Sequence, residues 1–168
     1  MVLKLHIYQP VVKLREMLSE SEALQTLFDV ESAEAAAARI GYGYAEDQEY
    51  NTATGEQAPK ERPRALVALE DFQSNKGTTT SWATTVEMTV FVECETLTAD
   101  KVKSLSGRYA AFLQRVEGIA DDLREAAATG TRLNLQSIRT VIAPQRTDPK
   151  DTDGAEVWWT VFLVSAGG

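Results

Sequence analysis

The sequence predicts an α+β fold: an antiparallel sheet of about four strands, drawn from two hairpins, with a long helix and N-terminal helices packed on it. Three observations carry this. From Val86 to Glu95, apolar Val86, Met88, Val90, Val92 and Cys94 alternate with Glu87, Thr89, Phe91, Glu93 and Glu95, the period of a half-buried strand. After Glu95 the period changes. Val102, Leu105, Tyr109, Phe112, Leu113, Val116, Ile119 and Leu123 recur at spacings of three and four, as on one face of a helix. Two further apolar stretches, Arg64 to Phe72 and Val157 to Val164, read as strands with both faces covered.

In chain order, Val11, Leu14 and Leu18 share a helical face behind Pro10, which a first turn tolerates because its missing N–H would lack a partner. Ser19 or Ser21 is placed to cap a second helix through Leu24, Leu27 and Phe28. A third, alanine-rich helix is expected from Ser32 to Ile40, ended by Gly41. Residues 41–62 carry glycines, acids, tyrosines and Pro59 without a period. They read as a long loop that either stays disordered or orders against a partner.

Pro63 introduces the strand from Arg64 to Phe72, a turn is expected over residues 74–78, and the chain returns as the alternating strand. The distal end of this hairpin, near Lys76 and Trp82, is expected to reach past the core. Thr98 is the expected cap of the long helix, with Asp100 in its first turn, and Gly118 the expected point of bending or division. A strand from Leu133 to Ile142, ending at Pro144, and the run from Val157 to Val164 close the sheet. Trp158 and Trp159 point opposite ways. One indole should meet a helix, and the other should lie under the N-terminal helices or at a subunit interface.

The chain has 168 residues, 43% hydrophobic and 25% charged, which suits one domain over residues 1–168. No apolar run approaches the roughly 20 residues of a membrane-spanning helix, and the first residues lack the apolar region of a secretory signal. A cytoplasmic site of synthesis is therefore expected, and one cysteine agrees with it. The net charge of −8 disfavours nucleic acid as a bound ligand.

Catalytic chemistry finds little footing, and neither catalytic residues, metal ligands nor a cofactor are expected. His6 is the only histidine, so a His/Cys zinc site is excluded. Cys94 falls on the apolar side of its strand, as a small buried hydrophobe would. Glu87, Glu93 and Glu95 share a strand face without opposing groups to make a cleft, and Asp121 and Asp122 read as an exposed helix face. The stretch Gly41-Tyr42-Gly43-Tyr44 lacks the third glycine and the strand-to-helix setting of a dinucleotide loop.

The order of elements resembles that of the tail terminator, or tail completion, proteins of long-tailed bacteriophages. Three stretches carry the likeness: the helical pair 11–18 and 21–28; residues 62–69 with the following hairpin and the 102–123 helix; and the aromatic strand Val157-Trp158-Trp159-Thr160-Val161-Phe162-Leu163-Val164. The resemblance covers most of the chain and is one of architecture. The 41–62 loop is longer than that family's usual connection.

The resemblance implies a non-enzymatic ring, usually a hexamer, seated in the virion on the head-proximal end of the tail tube and assembled in the host cytoplasm. It would stop tube polymerisation and dock the head completion proteins, while DNA passes through the centre without specific binding. Glu87, Glu93 and Glu95 are then candidates to line that lumen. Tyr42, Tyr44, Phe72, Lys76, Trp82 and Trp158 are candidates for contacts with neighbouring subunits or the tube. The alternatives are a head–tail connector or stopper, and a small cytoplasmic module that binds a ligand or peptide.

Overall fold

A computed structural model describes residues 8–43, 61–76, 82–129 and 133–167. The fold is α+β, with helices on one face of a sheet. Three short helices open the described chain: α1 (Gln9–Ser19), α2 (Glu22–Phe28) and α3 (Ala33–Ala37). Then come β1 (Ile40–Tyr42), β2 (Arg64–Lys76), β3 (Trp82–Glu95), the long α4 (Leu105–Thr129), β4 (Asn134–Thr147) and β5 (Val157–Gly167). Single 3₁₀ turns stand at Thr98–Asp100 and Pro149–Thr152.

The five strands run in the order β1-β2-β3-β5-β4, with every pair antiparallel except β1 and β2. The fifth strand, β1, takes residues read from sequence as the end of a helix and the start of a loop. The Ala38 N–H bonds to Glu34 O and the Arg39 N–H to Ala36 O, closing α3. Ile40, Gly41 and Tyr42 then pair with Ala65, Leu66 and Val67.

The alternation in β3 holds. Val86, Met88, Val90, Val92 and Cys94 are all buried, opposite Ala65, Val67 and Leu69 of β2 and Trp158, Phe162, Val164 and Ala166 of β5. Cross-strand partners share a face, so this side of the sheet forms one core with Leu14, Leu18, Leu24, Phe112, Val116, Ile119 and Leu123 from the helices. At the far end of the β2–β3 pair, β5 begins its pairing with β3 only at Thr85, and residues 73–76 are exposed. That end reaches past the core.

Helix α4 departs from expectation at both of its marked residues. It starts at Leu105 and not at Thr98, because Thr98–Asp100 forms a separate 3₁₀ turn. It also runs unbroken through Gly118 to Thr129. A Cβ on Gly118 would stand 3.0 Å from the Ala23 Cβ, so this glycine admits α2 at close range and does not divide the helix. Nor is Asp122 simply an exposed acid. Its Oδ2 accepts from the Ser21 hydroxyl at 2.6 Å and the Ala23 N–H at 3.0 Å, while the Ser21 hydroxyl oxygen caps α2 by accepting from the Leu24 N–H. Asp122 thereby ties α2 to α4.

Strand β4 continues through Pro144 instead of ending there. It is the edge strand, and its register against β5 shifts between Ile142 and Gln145, a setting in which proline takes no ladder hydrogen bond away.

Candidate interaction surface

Among the described residues, the helices all lie on one face of the sheet and none lies on the other, although Leu66 and Ala68 on that helix-free side are themselves buried. On this bare side, outward residues of four strands form a groove of about 460 Å³ whose apolar lining includes Leu66, Phe91, Ile142, Trp159 and Val161. Strand periodicity puts them there: Leu66 stands opposite Phe91, and Phe91 opposite Val161. The Phe91 and Trp159 rings lie 6.1 Å apart at 37°, within the range of tilted aromatic pairs. Glu70, Thr89, Glu93 and Thr147 supply the polar lining. Thr89 donates to Glu70 at 2.8 Å.

Arg64 orders the rim. Its guanidinium lies 5.9 Å from the Phe91 ring centroid, and its Nε donates to Glu93 Oε1 at 3.0 Å. Both partners of the ion pair are mostly shielded, at 14% and 15% exposure. An arginine can serve a carboxylate and a ring face together because its guanidinium is flat and permanently charged.

All three glutamates marked in the sequence face away from the helices, as the β3 alternation requires. Their charge is less free than expected. Glu93 is paired with Arg64, and Glu95 stands 3.4 Å from Arg62. Glu87 faces Asp71 across the β2–β3 ladder. The carboxylates on this face are Glu70, Asp71, Glu87, Glu93 and Glu95, against the cations Arg62, Arg64 and Arg139.

The aromatic contact candidates are largely elsewhere. Trp158 is 3% exposed, packed against Tyr109 and Phe112 of α4, and its indole N–H donates to the Thr96 hydroxyl at 2.9 Å. It belongs to the core. Tyr42 is buried too, with the Arg15 guanidinium 5.4 Å from its ring centroid. Phe72 is half-buried against the core, on the helix side. Lys76 is exposed at the end of β2. Tyr44 and the side chain of Trp82 lie outside the described residues. Trp159, the residue beside Trp158, is the indole that lines the groove.

A second apolar surface appears where α4 begins. Val102 is 91% exposed, Leu105 49% and Tyr109 40%. Periodicity assigned all three to the core, but the helix outruns the sheet here, and Phe112 is the first large member of the stripe to be buried. Beneath this end, Glu156 accepts from Arg108 Nε at 2.6 Å, Arg108 Nη2 at 3.0 Å, Arg146 Nε at 2.9 Å and the Thr96 hydroxyl at 2.7 Å. Arg108 above all brings its pKa down to about 2, against partial burial and with help from Thr96 and Arg146. Burial works against ionisation of Asp100, yet its hydrogen bonds from Arg115 and Lys103 outweigh that and hold it below the usual carboxylate range.

Burial pushes the Cys94 thiol up to about 12, so it supplies no thiolate near neutral pH. Among the described residues, no group of three or more His, Cys, Asp or Glu side chains is placed to hold a metal ion. No helix among them is long and apolar enough to cross a membrane.

Two signals for the groove were present in the sequence. Phe91 is an aromatic at an outward position of an otherwise polar strand face, and Trp159 is the outward member of a tryptophan pair. Compared with known proteins, the chain matches no family model, and a search of curated proteins returns no match.

Proposed function

We propose that this chain is a structural protein that assembles into a ring, as the tail terminator of a long-tailed phage: it caps the head-proximal end of the tail tube, ends tube polymerisation and offers a docking face to the head completion proteins. The observation that carries this reading is the bare side of the sheet. A sheet with one face closed by helices and the other bearing a groove lined by Phe91, Trp159 and Ile142 is built to be covered by protein. The groove's apolar lining is concave and half-buried, with Ile142 exposed at its edge, so a protruding partner side chain would complete the burial of these residues. The order of elements, which resembles the terminator family, supplies the particular role. Ion pairing of Glu93 and Glu95 leaves the bare face only mildly acidic, which suits a surface that meets protein as well as one that lines a passage for DNA.

Native mass spectrometry and negative-stain microscopy of the purified protein test the reading, together with binding to polymerised tail-tube protein. A ring with a central hole that caps tube ends is expected. A strict monomer at high concentration that also leaves tubes uncapped contradicts it. A ring that ignores tubes but binds head completion protein points to the connector or stopper role.

The groove volume favours one second reading. About 460 Å³ falls within the range of small-molecule sites, so a ligand- or peptide-binding module is the competing function. A stable monomer whose Trp159 fluorescence responds to a saturable small ligand would establish it.

A further inference from the structure

Two apolar surfaces of the described chain are left without a partner, and they differ in place, shape and charge. The groove is concave and lies on the helix-free side of the sheet. The Val102, Leu105 and Tyr109 surface is a projection at the start of α4, on the helix side. Leu105 and Tyr109 stand one turn apart, so they present a common ridge.

Their surroundings are complementary. Around the projection stand Lys101, Lys103, Arg108, Arg115 and Arg146, against the carboxylates Glu95, Asp100 and Glu156. Apart from the Glu95–Arg62 pair, which borders both surfaces, the groove side carries the four carboxylates Glu70, Asp71, Glu87 and Glu93 against Arg64 and Arg139, a mild negative excess. A positive ridge facing a negative groove favours the correct partner and disfavours like-on-like pairing.

We infer that the groove of one copy receives the Val102, Leu105 and Tyr109 ridge of the next copy. The inference rests on the ring reading and names the contact that builds the ring. Because the two surfaces are different patches of one chain, the contact is heterologous. A bound pair still offers one free ridge and one free groove, so association continues until rotation closes it. Two identical faces meeting would instead stop at a dimer.

The test uses two full-length variants with opposite defects, followed by native mass spectrometry and sedimentation. Val102→Asp spoils the ridge and Ile142→Asp the groove. Both side chains are exposed in the single chain, at 91% and 38%, and circular dichroism checks that each variant folds. Should Ile142→Asp fail to fold, Thr147→Arg at the groove's polar lining takes its place. Each variant alone is expected to be monomeric where the wild type forms rings. Mixed one to one, they are expected to form a heterodimer and nothing larger, since one intact ridge and one intact groove remain to meet. Rings that persist in both single variants, or a mixture that stays monomeric, would overturn the contact and leave the ring reading standing. A wild type that never associates overturns both.

Discussion

Trp158 and Trp159 are neighbours in sequence and inhabit different proteins, in effect. Trp158 is 3% exposed, wedged against Tyr109 and Phe112, with its N–H bonded to Thr96. Trp159 lies in the groove on the bare side, tilted against Phe91. One backbone step separates a residue packed under the helices from one that lines the groove on the other face, because successive strand side chains point to opposite faces. Two kinds of hydrophobic surface are thereby separated: one buried beneath the helices, and one that, in the proposed ring, a neighbouring copy would cover.

Breaking the inner side should cost most. Trp158→Ala removes a buried indole and its hydrogen bond, and is expected to lower unfolding free energy by about 3–5 kcal/mol, read by urea denaturation. Trp159→Ala, measured the same way on the monomer, should cost less, because this indole is only half-buried and, among the described residues, makes no hydrogen bond comparable to that of Trp158 to Thr96. Equal losses for the two would erase the distinction between the faces.

A smaller effect is expected where α2 meets α4. Gly118→Val forces a branched side chain into a site where even a Cβ meets Ala23 at 3.0 Å. Overpacking of this kind costs about 1–3 kcal/mol, visible as a lower melting temperature, whereas a hinge glycine would tolerate the change with a local effect on the helix alone.

The smallest effect concerns the charged network under the ridge. The pKa of Glu156 is lowered from 4.5 to about 2 in the folded chain, so its contribution to stability is present above about pH 4.5 and is lost as pH falls toward 2. Glu156→Gln is expected to lose about 1–2 kcal/mol at pH 7, the scale of charged hydrogen bonds. Its melting temperature should fall less steeply than that of the wild type between pH 5 and pH 3. Parallel curves for the two proteins would show that another group governs the acid limb.

The inner layer was the more legible part of this sequence. Alternation from Val86 to Cys94 marked the buried face of β3, and the stripe from Phe112 to Leu123 marked the helix that lies on it. What periodicity lacks is a sense of where an element ends against its neighbour. Val102, Leu105 and Tyr109 share the spacing of the core stripe, yet the α4 end carries them beyond the sheet. Strand β1 was missed because three residues centred on Gly41 carry no period, and pairing with β2 makes the strand. Gly118 read as a breaker for want of any sign of Ala23 beside it. Pro144 read as a strand end because sequence does not reveal which strand forms an edge.

The bare face was half legible. Its acids were placed on the correct side of β3, but their partners Arg62 and Arg64 come from another strand region, about thirty positions away. Of the two tryptophans, the sequence assigned one to a helix without saying which. Trp158 was chosen as the contact residue. The register of β3 on β5, with Cys94 opposite Trp158 and Glu93 opposite Trp159, puts Trp158 in the core and Trp159 on the groove side.

If the groove side of the sheet is the contact surface between copies of this chain, removing its indole should abolish association. Sedimentation velocity of the wild type beside Trp159→Ala, over a rising concentration series, tests it most directly. The wild type is expected to grow into closed oligomers, and the folded variant to remain a monomer throughout. Identical sedimentation of the two proteins at every concentration would contradict it.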